Sequence, residues 1–215
     1  MILFWILTGI DIIAIACSST WIPDIVKPLL MPVLISSLLQ LRPNSSNRNL
    51  MLVGLFFSWA GDILLLFEKN GAIFFILGLV CFLLTHILYI IYFLKLRSSA
   101  VSLLRKYPWL ILLICLYSVC LVAVLFPHLK EMKLPVMVYA AVISIMLVCS
   151  LHAFKKVNRS AGLYFVSGAL LFVISDSLLA VNKFYQPFIF AGILIMLTYC
   201  AAQFLIVKGF GSLTQ

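Results

Sequence analysis

The chain has 215 residues, 65% of them hydrophobic and only 10% charged, whereas a water-soluble domain needs about a quarter of its residues charged to cover its surface. That composition excludes a soluble globular fold and makes lipid the solvent for most of the molecule. A net charge of +9 would suggest nucleic acid in a soluble protein. Here the basic residues stand between apolar runs, where they orient membrane spans, so no nucleic-acid partner is expected.

A bilayer core of about 30 Å takes about 20 apolar residues per helix. The runs are unbroken, which excludes the ~10-residue alternating segments of a membrane β-barrel. They predict an all-α transmembrane bundle of eight spans, a single integral membrane domain over 1–215 in which each helix satisfies its own backbone hydrogen bonds. In chain order the spans are 2–20, 22–41 with Lys27 inside, 50–67 with Asp62 inside, 71–94, 108–126, 134–154, 161–181 with Asp176 inside, and 187–207. The first has no basic leader and Asp11 interrupts it, which reads as a retained helix rather than a signal peptide. The six cysteines fall inside the runs without a CxxC pair and read as small apolar residues.

Charge alternates between successive connections. Arg42 and Arg48 follow the second span, Lys95, Arg97, Arg105 and Lys106 the fourth, Lys155, Lys156 and Arg159 the sixth, and Lys208 the eighth, with no acid among them. On the other side Lys27, Lys69, Lys130, Lys133 and Lys183 are offset by Asp24, Glu68 and Glu131. The excess of positive charge puts both termini in the cytoplasm. An ungapped offset of 114 residues also sets Asp62 on Asp176, Lys69 on Lys183 and Gly78 on Gly192. A four-span offset preserves orientation, so this pattern predicts a 4+4 parallel repeat with its axis along the membrane normal.

An ionisable residue inside a span costs at least ~2.5–3.5 kcal/mol and by default faces the bundle interior and marks function. Asp62 lies six residues before Glu68 and Asp176 six before Asn182, roughly 9 Å below the same non-cytoplasmic surface. Lys27 and Tyr139 each lie five residues into their spans from that surface. Four polar groups from four helices thus share one depth. The structural alternative is an ion pair between Lys27 and one aspartate, or a snorkelling Lys27. Asp11, near the middle of the first span, is open to either reading. His86 lies deeper, near Tyr89 and Tyr92, and is a candidate substrate contact or a hydrogen-bonded core residue. Tyr199 and Gln203, one turn apart, line a cavity or tie helices together. His128 and His152 fall at span ends, and three scattered histidines do not make a zinc site. Trp5, Trp21, Trp59 and Trp109 read as interface or packing residues. Gly61, Gly168 and Ala169 permit close helix approach.

Five segments, KPLLMP at 27–32, GDILLL at 61–66, THILY at 85–89, GALLFVISDSLLA at 168–180 and YCAAQFLI at 199–206, resemble in order the YhhN-like lysoplasmalogenase family over most of the chain. The last departs slightly, with Cys200 where the family often has a second aromatic. The resemblance implies a membrane hydrolase that cleaves the vinyl ether bond of a lysophospholipid, a lysoplasmalogen. The products are a fatty aldehyde and glycerophosphoethanolamine or glycerophosphocholine. The compact chain with short loops reads as bacterial, which predicts the inner (plasma) membrane; in a eukaryote the resemblance implies the endoplasmic reticulum.

A vinyl ether is hydrolysed by protonating its β-carbon, which leaves an oxocarbenium ion for water to attack. That chemistry needs one carboxylic acid, one carboxylate and an oriented water, a division of labour shared with glycosidases. It requires no metal or cofactor. Asp62 and Asp176 take the acid and base/stabiliser roles in either order. Lys27 anchors the phosphate or keeps one carboxylate ionised, Tyr139 orients water or a headgroup, and His86, Tyr199 and Gln203 complete the candidate substrate contacts. Intramembrane carboxylates and a parallel repeat also suit a transporter. A receptor or scaffold would use the aspartates for stability alone.

Overall fold

A computed structural model of the chain describes residues 1–19, 21–41, 46–96 and 102–213. Arg42, Arg97 and the expected end of the first span at Thr20 lie outside the described residues. Among the described residues the chain is helical without strands: α1 (Ile2–Ala16), α2 (Trp21–Gln40), α3 (Ser46–Leu66), α4 (Ala72–Lys95), the single turn α5 (Leu103–Lys106), α6 (Trp109–Leu125), α7 (Lys133–Ala153), α8 (Arg159–Ala180) and α9 (Ala191–Ser212), with short 3-10 turns between some of them. Seven of these, all but α1 and α5, are long and apolar enough to cross a membrane. The protein is a multi-pass integral membrane protein.

The helix boundaries differ from the expected spans where local backbone chemistry intervenes. α1 has 15 residues, because the chain leaves the helix at Cys17 and Ser18 enters the left-handed region at φ 55. Serine competes for local backbone hydrogen bonds and favours such exits. At its far end α8 does not stop at residue 181 but continues through a π-helical turn, Val181–Tyr185. Asp176 therefore stands nine residues from the helical end, roughly 13 Å rather than 9 Å at 1.5 Å per residue. α9 begins after the left-handed Phe190 (φ 65) and carries Lys208 within it. The Lys208 ammonium lies 4.9 Å from the centre of the Tyr164 ring.

The chain divides into two compact units, Met1–Tyr92 and Phe93–Leu213. In the first, α2 packs on α1 and α3, with Phe4, Leu30, Leu34, Met51 and Leu55 fully buried. α2 holds two internal prolines, Pro28 and Pro32. Pro32 has no N–H, so the carbonyl four residues earlier, that of Pro28, loses its helical donor. The Trp59 indole N–H on α3 donates to that carbonyl at 2.8 Å, the kind of neighbouring-helix repair that makes proline tolerable in a membrane helix. α3 and α4 meet at Gly54, whose carbonyl accepts from the Thr85 hydroxyl at 3.0 Å.

In the second unit α8 packs along α9 and α7. Gly168 is the close point of the α8–α9 pair: a Cβ there would lie 2.7 Å from Ile206 Cγ1 and 3.0 Å from the Ala202 carbonyl oxygen. Asn158 fastens one end of the same pair. Its Oδ1 accepts from the Ala161 N–H at 2.8 Å and caps α8, while its amide donates to the Ser212 carbonyl at 2.6 Å. Ser102 caps α5 and shares a 2.9 Å hydrogen bond with His152 Nδ1 at the end of α7.

Candidate functional site

The second unit contains a small pocket walled by α6, α7 and α8. Helix periodicity brings Leu121 and Leu125 of α6, Val136 and Ile143 of α7, and Val173 and Ala180 of α8 onto its faces. Leu125, Leu129 and Val136 form a buried cluster at one end, with Ala180, Val181 and Phe184 packed on it. Into this apolar setting project Asp176 and Tyr139. The Tyr139 hydroxyl donates to Asp176 Oδ2 at 2.6 Å, a short O–H···O hydrogen bond. The pocket has a volume of about 50 Å³, enough for a few water molecules and far too small to enclose a lipid chain.

A second polar pair stands beside the first. The Tyr117 hydroxyl on α6 donates to Ser177 Oγ at 2.8 Å, and Ser177 Oγ donates to the Val173 carbonyl at 2.6 Å. Both Tyr117 and Ser177 line the pocket. Sequence reasoning missed them as site residues. The signal for Ser177 was its place next to Asp176 in the SDS segment. For Tyr117 it was the Tyr–Ser pair within an otherwise apolar α6.

The remaining candidates are not among the residues that line this pocket. Tyr199 and Gln203 are buried on α9, and Tyr199 meets the Phe172 ring edge-on at 5.6 Å, off the pocket. The other three belong to the first unit. Asp62 is half-buried on α3, beside Gly61, where a Cβ would come within 2.9 Å of the Phe82 ring. Lys27 is half-buried on α2, and His86 is fully buried on α4, three residues before the equally buried Tyr89. Asp11 on α1 is also fully buried. Neither of its carboxylate oxygens has a hydrogen-bond partner among the described residues, and it lies within the electrostatic reach of Lys27. His128, at the turn after α6, stacks edge-on with Tyr185 at 5.1 Å.

The sequence profile of the YhhN family matches residues 23–210. Lysoplasmalogenase TMEM86B of Homo sapiens is 34% identical over 188 residues, 87% of this chain and 74% of that protein. Lysoplasmalogenase TMEM86A of Bos taurus is 35% identical over 162 residues, 72% of this chain, and the match spans 62% of that protein, under two thirds of its length. The lysoplasmalogenase of Mycobacterium tuberculosis is 30% identical over 183 residues, 84% of this chain and 67% of that protein. No solved structure matches the chain.

Proposed function

This chain belongs to the YhhN family, and on that premise we propose that it is a lysoplasmalogenase. It hydrolyses the vinyl ether bond of a lysoplasmalogen within the membrane, releasing a fatty aldehyde and a glycerophospho-base. Relatives from mammals and mycobacteria that carry this name support the reading. The observation that carries it in the fold is the Tyr139–Asp176 hydrogen bond at the wall of a pocket with room for water.

In the proposed reaction a carboxylic acid gives its proton to the β-carbon, and the double-bond electrons form the new C–H bond. The cation that results at the carbon attached to oxygen is shared with that oxygen. Water adds there and loses a proton to a carboxylate. The hemiacetal then collapses: its O–H proton leaves, the carbonyl forms, the C–O bond to glycerol breaks, and the glycerol oxygen is protonated. One water is consumed and both catalytic groups are restored. Asp62 and Asp176 are the proposed carboxyl pair. With Tyr139 donating, Asp176 is held as an acceptor, the posture of the base and cation stabiliser. Asp62 enters the proposal on its GD motif. Lys27 is assigned to the substrate phosphate, and His86, Tyr199 and Gln203 to shaping the substrate contacts.

The topology that goes with this reading has eight spans, with α1 as the first, and both termini in the cytoplasm. The charge alternation supports it. The 114-residue offset that sets Asp62 on Asp176 and Lys69 on Lys183 in the sequence supports a 4+4 parallel repeat.

The test is aldehyde release by the detergent-purified protein from lysoplasmenyl-ethanolamine, against its saturated-ether analogue. Release from the vinyl ether alone, lost in Asp62→Asn and in Asp176→Asn, is the expected result. Full activity in both variants would sink the carboxyl assignment. No aldehyde from folded protein, across headgroups and pH, would sink the activity and favour a transporter, read by flux into proteoliposomes.

A further inference from the structure

The pocket beside Asp176 has room for a few waters but not for a lipid chain, so a substrate that reacts there must leave its chain outside the cavity. α6 is the wall that permits this. Ile114 and Leu125 are its buried residues, and most of its remaining side chains face outward or are half-buried. The α6–α8 seam is bridged by the hydrogen bond from Tyr117, 44% exposed, to Ser177. Ser177 sits next to Asp176 in sequence and already donates to the Val173 carbonyl, so its oxygen is left to accept from Tyr117 or from another donor. One end of the pocket is stopped by the Leu125, Leu129 and Val136 cluster. A chain leaving the reactive carbon therefore runs the other way, past Ser118, Ile143 and Val173.

We propose that the α6–α8 seam is the lateral groove through which the single alkenyl chain of the substrate reaches Asp176 from the lipid, and that Tyr117 is the residue that determines which chains are accepted. The assignment rests on the lysoplasmalogenase reading for the identity of the chain. Its geometric content, a one-chain lipid lying between α6 and α8, does not depend on turnover. The Tyr117 ring stands at the mouth of the seam, and its hydroxyl holds the ring across it. Substrate binding moves the ring aside and exchanges the Ser177 contact, so ring size governs chain fit and the hydroxyl governs how readily the seam opens.

Two measurements test this on the full chain in nanodiscs. The first compares kcat/KM on lysoplasmenyl-ethanolamines with short and long alkenyl chains for wild type, Tyr117→Trp, Tyr117→Leu and Tyr117→Phe. Tyr117→Trp is expected to penalise the long chain roughly tenfold more than the short one, a selectivity of the size a pocket gives for small apolar changes. Tyr117→Leu is expected to relax the preference, and Tyr117→Phe to move KM with little change in kcat. The second uses a saturated-ether lysophospholipid with a diazirine in its chain, photolysed on wild-type protein. Adducts are expected on peptides carrying Ser118 to Leu121 and Val173, displaced by the unlabelled analogue. Adducts confined to other helices, or Tyr117 variants that change every chain length alike, would overturn the proposal. Absence of turnover together with displaceable α6 and α8 adducts would overturn the lysoplasmalogenase reading and leave the lipid groove standing.

Discussion

The Tyr139 hydroxyl and Asp176 Oδ2 stand 2.6 Å apart and join α7 to α8 at the wall of an otherwise apolar pocket. Leaving a buried hydrogen-bonding group without its partner in such surroundings costs about 1–3 kcal/mol. If Asp176 stabilises the oxocarbenium-like transition state, the hydroxyl also fixes the direction in which its charge is presented. Tyr139→Phe is therefore expected to lower kcat by roughly 10- to 100-fold while KM changes little, measured as aldehyde release at saturating and limiting substrate. A loss confined to thermal stability, with kcat intact, would make the pair a helix tie and nothing more.

Trp59 and Pro28 give a second expectation, about the fold alone. The Trp59 indole N–H fills the place of the donor that Pro32 cannot supply. Trp59→Phe keeps most of the ring but strands the Pro28 carbonyl, at a cost of about 1–3 kcal/mol. Pro32→Ala restores a backbone N–H within α2, so Trp59→Phe is expected to cost less in that background. Melting temperatures of the four proteins in detergent measure the difference. Equal losses in both backgrounds would show that the indole stabilises by packing and not by repairing the helix.

These two pairs also mark what is legible in a sequence of this kind. Seven of the spans are legible because each is a long apolar helix, and residue counting expected Tyr139 and Asp176 at one level, where a hydrogen bond joins them. Counting also exposes the Pro28 carbonyl, since the i–4 rule is local. Its donor is not local: Trp59 is 31 residues away, and nothing in the pattern says which helix faces α2. Tyr117 and Ser177, 60 residues apart, escaped for the same reason. The end of the first span was misplaced because one left-handed serine, Ser18, outweighs several apolar neighbours. Asp176 stands farther from its helix end than counted because the π turn after Ala180 extends the helix through residues that read as a connection.

Gly168 tests the packing of α8 on α9. A methyl group at this position meets Ile206 Cγ1 at 2.7 Å, which a rotamer change can relieve, and the Ala202 carbonyl at 3.0 Å, which only a backbone shift can. Overpacking of this kind costs about 1–3 kcal/mol. Gly168→Ala is expected to fall in that range and Gly168→Val to exceed it, by thermal unfolding in detergent. A Gly168→Ala protein as stable as wild type would mean that α8 and α9 separate without penalty.

Asp11 and Lys27 carry the last expectation. Asp11 is fully buried, its oxygens have no hydrogen-bond partner among the described residues, and the Lys27 charge acts on it. A buried charge stripped of its counter-charge is more costly than the removal of both. Lys27→Met is then expected to destabilise the wild-type protein by about 1–3 kcal/mol, because it leaves the Asp11 carboxyl uncompensated. The same substitution in an Asp11→Leu background removes a cation that no longer has this partner and is expected to cost clearly less. Lys27 is only half-buried, so its own loss of hydration contributes little and the coupling reports chiefly on Asp11. Thermal unfolding of the two single variants and the double variant gives the coupling directly, independent of any activity that Lys27 supports. Additive effects would show that the two charges do not stabilise each other, and Asp11 would then be held by the packing of α1 on α2 alone.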